Sequence, residues 1–122
     1  MNASSRRHTR FVIPEEALPS QKIKGKGLLG GLLGWADCRV RDLSIAGALV
    51  LTAKKKGIGD PIELRFTQRN GKELQFGGKV VNCGIDHRTG KFQLGISLTE
   101  QLPQSPEYAF LHSLSMTFQE AR

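Results

Sequence analysis

Short segments in which apolar and polar residues alternate with a period of two dominate this sequence. The alternation recurs at residues 36–41, 62–67, 73–76 and 92–98, and residues 48–52 form a continuous apolar run of strand length. Because neighbouring side chains of a strand point to opposite sides, each alternating segment would bury one face and expose the other. Five or six short strands separated by tight turns favour an all-β fold, a closed or nearly closed antiparallel barrel.

Turn-forming residues separate these segments. Asn70-Gly71 lies between two alternating runs, and both residues tolerate a positive φ, so this dipeptide is the strongest hairpin signal in the chain. A second turn is predicted over residues 86–90. Gly77-Gly78 predicts a β-bulge ahead of Val80 and Val81.

The period changes only near the end of the chain. Ser105-Pro106-Glu107 combines a capping hydroxyl, a proline at the first helical position and an early carboxylate, which together indicate a helix start. We therefore expect one C-terminal helix over about residues 105–120. Its apolar stripe is predicted to pack on the barrel, and a docking helix for a partner is the alternative. The stripe consists of Phe110, Leu111, Leu114 and Phe118.

The length of 122 residues allows one hydrophobic core and no second ordinary domain. Residues 1–11 are polar and basic without periodicity and predict a flexible arginine-rich arm, while residues 12–122 form the predicted barrel domain with its helix. The longest apolar stretch, residues 28–36, contains three glycines and falls well short of the roughly 20 residues of a membrane span. No apolar run follows the N-terminal arginines, so we expect no membrane span and a cytoplasmic location.

Cys38 and Cys83 each lie in an alternating run rather than in a CxxC pair. Two such cysteines and three scattered histidines do not form a metal-ligand pattern, so neither a metal nor a cofactor is expected. Both thiols are predicted to be reduced and packed as small hydrophobic groups.

The segment from Lys22 to Gly34, KIKGKGLLGGLLG, is the least regular part of the sequence. Its lysines alternate with Ile23 and two glycines, which predicts an edge strand, and Gly30-Gly31 could form the turn of a long hairpin that returns through Trp35. The alternative is a mobile apolar flap that contacts a partner protein.

The formal net charge of +7 favours anionic partners, and three arginines lie within the first ten residues, where no acidic residue occurs. Arg6 and Arg10 are four residues apart, with Arg7 between them. A guanidinium group offers paired donors that match phosphate oxygens or the O6 and N7 acceptors of guanine, and it can stack on a base. Taken alone, the same residues are more typical of a solvated basic tail.

A second group of polar residues follows at the junction of two predicted strands. Asp42 ends one alternating run, Ser44 lies two residues later, and Gly47 opens the next run. A carboxylate can accept hydrogen bonds from the N1–H and N2–H₂ groups of guanine, which adenine does not present in that pattern. Ser44 could contact a base or a phosphate, and Gly47 permits a sharp turn with close backbone approach. Taken alone, this segment is also typical of an ordinary Asp/Ser turn.

The two motifs together, R-x-x-x-R near the N-terminus and D-x-S-x-x-G further on, resemble the PilZ family of bacterial cyclic di-GMP receptors. The chain is similar to a stand-alone, single-domain member of that family. The resemblance extends through the strand pattern and residues 92–96 to the final helix. It implies a six-stranded antiparallel barrel with a C-terminal helix. It also implies that the arginine arm folds onto the barrel around the bound dinucleotide.

The resemblance also implies roles for the matching residues. Arg6 and Arg10 would hold phosphates and guanine edges, and Arg7 would add charge or stacking. Asp42 and Ser44 would read a guanine, while Gly47 would shape the turn. Ser5 stands where an arginine favours a stacked pair of ligands in such proteins, so we expect one ligand per chain.

The expected function is therefore that of a cyclic di-GMP receptor whose arm becomes ordered on binding and which signals through an unidentified partner protein. One alternative is a protein-interaction barrel of the same fold that does not bind nucleotide. Another is a barrel that binds single-stranded nucleic acid, a partner not expected here because the aromatic residues are few and lie mostly at core positions. His8, His87 and His112 have no evident nucleophile and carboxylate around them, so no catalytic residues and no enzymatic activity are expected.

Overall fold

The described part of the chain is mostly β-structure. The computed structural model describes residues 8–26 and 34–121. A 3₁₀ turn spans Glu15–Ala17, and two short helices, α1 (Pro106–His112) and α2 (Leu114–Thr117), lie near the end of the described chain. The strands in these ranges are β1 (Phe11–Val12), β2 (Ser20–Gly25), β3 (Ala36–Leu43), β4 (Gly47–Thr52), β5 (Pro61–Thr67), β6 (Glu73–Ile85) and β7 (Phe92–Leu98).

Six of the strands in these ranges form a closed antiparallel barrel. Their hydrogen-bonded order is β3-β2-β5-β6-β7-β4, and β4 pairs again with β3. β1 pairs through two residues with the C-terminal end of β3, where Phe11 lies opposite Leu43. The predicted six-stranded barrel is therefore confirmed.

The period-two pattern gives the barrel its core. Ile62, Leu64 and Phe66 are fully buried along β5, whereas Glu63 and Arg65 between them are only half-buried on the outer face. Burial of each such apolar side chain is worth about 1.5–3 kcal/mol, so the alternation itself favours this register over a shift by one residue. The remaining strands contribute in the same way through Ile23, Val40, Leu43, Val50, Leu74, Phe76, Val80, Leu94 and Ile96.

The hairpin between β5 and β6 has the turn that Asn70-Gly71 predicts. Gly71 has a φ of +87°, a conformation that a residue with a Cβ adopts only at a cost. The Asn70 side-chain oxygen accepts a hydrogen bond of 2.9 Å from the Lys72 amide, and the Gln68 amide donates to the Lys72 carbonyl at 2.8 Å. The predicted hairpin is confirmed.

The C-terminal helical region packs on the barrel, as predicted. The Ser105 hydroxyl accepts a hydrogen bond of 3.0 Å from the Tyr108 amide, which caps α1. Leu111 and Leu114 are each 2% exposed and belong to the core. The helix is interrupted at Ser113 and ends at Thr117, and the residues after it run along the barrel surface instead of extending the helix.

Gly77-Gly78 does not form the predicted bulge. Gly78 pairs regularly with Ile62 on one side and with Leu98 on the other. The irregularity lies further along β6, where Val80 pairs with Ile96 but Asn82 pairs with Gly95, so that Val81 is the extra residue.

The prediction of an edge strand at Lys22 is also wrong. β2 pairs with β5 along its whole length, and its Lys22 and Ile23 pair with β3, so the lysines lie on the outer face of an interior strand. The start of the segment thus pairs with the residues just after it, Ala36 and Asp37, as the two strands of a hairpin do. Gly30-Gly31 lies outside the described residues, so the predicted hairpin turn and its alternative, a mobile apolar flap, both stay predictions.

The two cysteines are free thiols in different surroundings. Cys38 is half-buried, and burial is the main cause that raises the pKa of its thiol to about 12. Cys83 is exposed, contrary to the expected packing, because it lies on the solvent side of β6, where its Sγ lies 3.5 Å from the Lys56 carbonyl oxygen.

Candidate functional site

The turn between β3 and β4 carries the second predicted motif. The Ser44 amide donates to the Gly47 carbonyl at 2.9 Å, and the Ser44 hydroxyl oxygen accepts a hydrogen bond of 3.2 Å from the Ala46 amide. A Cβ on Gly47 would lie 3.2 Å from the backbone oxygen of Ile96, closer than most side-chain contacts. The motif therefore forms a tight turn between β3 and β4 that lies against β7.

A β-bulge at Arg41 sets the direction of Asp42. Val40 pairs with Val50, but Asp42 pairs with Leu49, so Arg41 is an extra residue on β3. The extra residue reverses the alternation of inward and outward side chains. Val40 and Leu43 are three positions apart, so a regular strand would place them on opposite faces, yet both are fully buried. Asp42 consequently faces the outer surface beside the turn.

The arginine arm joins the barrel at this same edge. Val12 pairs with Asp42 in the β1–β3 ladder, and the Ile13 amide donates to the Arg41 carbonyl at 3.0 Å. On its other side the arm pairs with the end of the chain, since the Ala121 amide donates to the Arg10 carbonyl at 2.7 Å. The Arg10 carbonyl is therefore held by the C-terminal segment, and the residues that directly follow Arg10 are held by β3.

The side chains of Arg10 and Asp42 meet as an ion pair. Nη1 of Arg10 lies 3.9 Å from Oδ2 of Asp42, and the two side chains are 32% and 13% exposed. The Arg10 side chain is thus partly open to solvent. A positive charge and a recessed carboxylate stand side by side at the surface.

These residues line one groove of about 470 Å³ on the outer face of the barrel, called here the arm groove. Arg10 forms one wall, Asp42, Ser44 and Gly47 form the turn side, and Leu49 of β4 belongs to the floor. The volume lies in the range of small-molecule sites, which is about 300–1,000 Å³.

Sequence reasoning missed the opposite wall of the arm groove. The residues there are Val81, Asn82, Gly95 and Ser97 of β6 and β7, and His8 of the arm also lines the groove. Asn82 and Gly95 face each other across β6 and β7, and a Cβ on Gly95 would lie 2.9 Å from the Asn82 Cβ. A glycine is thus needed for this side of the groove to keep its shape. The signal was the glycine within the alternating run at residues 92–98, a position that often marks close approach.

Four of the six predicted site residues come together in this groove: Arg10, Asp42, Ser44 and Gly47. Arg6 and Arg7 lie outside the described residues. The arrangement offers donors for an anion from Arg10 and acceptors for N–H groups from Asp42. It can therefore bind a ligand that is anionic at one end and carries N–H donors at another.

Two negative findings hold for residues 8–26 and 34–121. No three His, Cys, Asp or Glu side chains there converge as a metal ion would require. No helix there is long and apolar enough to cross a membrane.

Comparison with known proteins gives one family and a set of similar folds. The model of the PilZ domain matches residues 4–109, which is most of the chain. No curated protein sequence matches the chain.

Two solved structures share the fold. The inhibitor of motility MotI/DgrA of Bacillus subtilis is 14% identical with a TM-score of 0.67, and the match covers 91% of this chain and 50% of that one. YcgR of Escherichia coli, crystallised in complex with c-di-GMP, is 18% identical with a TM-score of 0.58, and the match covers 91% and 43%. The chain thus spans about half the length of these proteins, and at such identities the likeness shows the fold alone.

Proposed function

Since the chain belongs to the PilZ domain family, we propose that it is a receptor that binds cyclic di-GMP in the arm groove and signals through a partner protein. The observation that carries the proposal is the meeting of Arg10 and Asp42. These residues come from two separate motifs, and both line the same groove.

Each described motif residue has a chemical task in this proposal. Arg10 binds a phosphate or the O6 and N7 edge of a guanine through its paired donors. Asp42 accepts hydrogen bonds from N1–H and N2–H₂ of a guanine, which selects against adenine. Ser44 adds a hydroxyl contact, and Gly47 keeps the turn close to β7.

Arg6 and Arg7 are the further ligand-binding residues of the proposal. A chain extends by at most about 3.6 Å per residue, so the Cα of Arg6 lies within about 14 Å of the Cα of Arg10. Because the backbone of Arg10 is hydrogen-bonded beside Asp42, the covalent tether keeps both arginines within reach of a ligand in the arm groove. With Ser5 before the motif, the proposed stoichiometry is one ligand per chain.

Ligand binding orders the arm in the proposed mechanism. Like charges on Arg6, Arg7 and Arg10 repel one another, and an anionic ligand removes that repulsion. Each charge-assisted hydrogen bond contributes about 1.5–3 kcal/mol, so a few of them exceed the several kcal/mol that ordering a short segment costs. The anchored backbone at Arg10 lowers this cost, because fewer residues remain to be ordered. The ordered arm then presents a new surface to the partner protein.

The similar structures support a receptor rather than an enzyme. YcgR was crystallised with c-di-GMP and MotI/DgrA is an inhibitor of motility, which are properties of those proteins. In the arm groove the Ser44 hydroxyl oxygen accepts a hydrogen bond from the Ala46 amide. The hydroxyl is thereby fixed within the turn, and in this proposal it recognises the ligand and has no catalytic role. A cytoplasmic location is part of the proposal.

Calorimetric titration with cyclic di-GMP tests the proposal. The full chain should bind one ligand, and its melting temperature should rise with ligand concentration because only the folded state binds. Arg10→Ala should weaken binding about 10- to 150-fold, the equivalent of one lost charge-assisted bond. Arg69→Ala is the matched control, since this exposed arginine lies in the β5–β6 hairpin and should leave affinity within twofold.

The outcomes separate the alternatives. No heat and no melting shift at tens of micromolar ligand would contradict the nucleotide proposal and leave the protein-interaction barrel. Equal loss in the two arginine variants would mean that overall charge, and not the arm groove, drives binding. Binding of oligonucleotides with a steep salt dependence, without binding of cyclic di-GMP, would favour the nucleic-acid alternative.

A further inference from the structure

A second groove, called here the cationic groove, crosses the outer face of the barrel beside the arm groove. Its volume is about 460 Å³. Arg39 and Arg41 of β3 line one side, and Arg88 and Lys91, from the turn between β6 and β7, line the other. Arg88 and Lys91 are exposed, and the Arg41 side chain is 42% exposed.

Two carboxylates interrupt this positive surface. Glu15 and Asp86 also line the cationic groove, so four cationic and two acidic side chains leave two net positive charges among the described lining residues. Asp86 is held in place, because its Oδ2 accepts hydrogen bonds from the Thr89 amide at 3.1 Å and the Thr89 hydroxyl at 2.6 Å. Its other oxygen lies 3.7 Å from the Arg41 guanidinium.

The floor of the cationic groove is apolar. Leu51 lies opposite Arg39 in the β3–β4 ladder and is only 6% exposed although it faces outward. The Arg39 guanidinium donates to the backbone oxygens of Val40 and Ile13, the latter at 2.9 Å. The aliphatic part of Arg39 therefore lies along the strand and leaves a surface that an aliphatic side chain can cover.

This arrangement does not suit a compact phosphate. A phosphate site gathers several free donors around one point. Here the Arg39 guanidinium already donates to two carbonyl groups, and the Arg41 guanidinium already faces the Asp86 carboxylate. An extended chain with spaced carboxylates meets the same cations one at a time and avoids the fixed carboxylate. Arginine is also enriched where proteins meet other proteins.

We propose that the cationic groove docks an acidic segment of a partner protein. Carboxylates of that segment pair with Arg41, Arg88 and Lys91, and one of its aliphatic side chains lies over Leu51. The proposal does not depend on nucleotide binding. It places the partner next to the arm groove, because Arg41 precedes Asp42 in the chain.

The test uses the full chain without nucleotide and a fluorescent decapeptide in which glutamates are spaced by leucine and glycine. Fluorescence anisotropy measures its dissociation constant, and a peptide with glutamine for glutamate is the ligand control. Arg88→Gln with Lys91→Gln should weaken binding at least about tenfold, because two of the three pairs are lost. Arg69→Gln with Lys72→Gln removes the same charge from the exposed β5–β6 hairpin and should change binding less than twofold. The wild-type affinity should fall as salt rises from about 50 to about 300 mM.

Equal weakening of peptide binding by the two double variants would overturn the proposal, because the net charge of the protein, and not the cationic groove, would then explain the binding. Equal binding of the glutamine peptide would overturn it as well. Displacement of the acidic peptide by sub-millimolar inorganic phosphate would assign the groove to phosphate instead. Because nucleotide is absent from the assay, a failure here leaves the proposed cyclic di-GMP site untouched, and a failed nucleotide titration leaves this result untouched.

Discussion

Asp42 is joined to the arginine arm twice, through its backbone ladder with Val12 and through its carboxylate, which lies 3.9 Å from the Arg10 guanidinium. The bulge at Arg41 brings the carboxylate to the surface at the point where β1 lies alongside β3. The groove wall formed by Arg10 and the turn that follows Asp42 are thus joined at one edge of the barrel.

Asp42→Asn should separate binding from stability. The amide keeps the size of the side chain but loses the charge that Arg10 faces. Ion pairs with a partly exposed partner are worth little, so the free energy of unfolding in urea should fall by only about 1 kcal/mol. Cyclic di-GMP affinity should fall about 10- to 150-fold by calorimetry, because the acceptor for guanine N–H groups is weakened. A loss of stability with unchanged affinity would contradict the assigned role.

Strand periodicity predicts which face of the barrel a side chain occupies, but only while the strand is regular. Alternation places Ile62, Leu64 and Phe66 inside the barrel correctly, because burial repeats every second residue. The same rule would put Asp42 on the inner face with Val40. Only the bulge at Arg41 turns it outward, and a bulge inserted in one strand has no fixed residue pattern.

The opposite wall of the arm groove could not be predicted for a related reason. Asn82 and Ser97 join the site through the register of β6 and β7, which shifts at Val81. Cross-strand register depends on the whole closed barrel and not on local sequence. The turn itself could be predicted from the sequence, because the hydrogen bond from the Ser44 amide to the Gly47 carbonyl closes it within four residues.

Gly78→Ala should destabilise the barrel. A Cβ there would lie 2.5 Å from the Ser97 backbone oxygen and 3.0 Å from the Ile96 side chain, so strands must move. Such overpacking costs about 1–3 kcal/mol and lowers the melting temperature by about 4 °C for each kcal/mol. Gly84→Ala on the same strand is the control, because no atom lies within 4 Å of its added Cβ. Equal melting temperatures for the two variants would rule out this close approach.

The two thiols should differ sharply in reactivity. Burial raises the pKa of Cys38 to about 12, so almost none of it is thiolate near pH 8, whereas Cys83 is exposed. Titration of the folded protein with a thiol-specific disulfide reagent should modify Cys83 first and Cys38 more than about 100-fold slower. Cys83→Ser should remove the fast phase, and unfolding should restore rapid reaction of Cys38. A fast phase that persists in Cys83→Ser would contradict the burial of Cys38.

The Asp86 carboxyl should titrate at an unusually acidic pH. Hydrogen bonds from the Thr89 side chain lower its pKa most, and Arg41 adds a smaller effect in the same direction. Because the folded pKa lies below the ordinary value of 3.8, this stabilisation is present above pH 3.8 and is lost as the pH falls through the folded pKa. In a carbon-detected NMR titration, Thr89→Val should raise the Asp86 pKa more than Arg41→Gln does. The reverse order would show that the ion pair dominates.

The pairing of Arg10 with Ala121, and of Val12 with Gln119, also determines how this protein would respond to force. The two segments are antiparallel neighbours, so tension applied at both ends loads their hydrogen bonds one after another, as in opening a zipper. Such a geometry yields at low load, and the first contact to rupture is the one that holds Arg10. A pulled molecule would therefore release the Arg10 side of the arm groove while the barrel behind it is still intact.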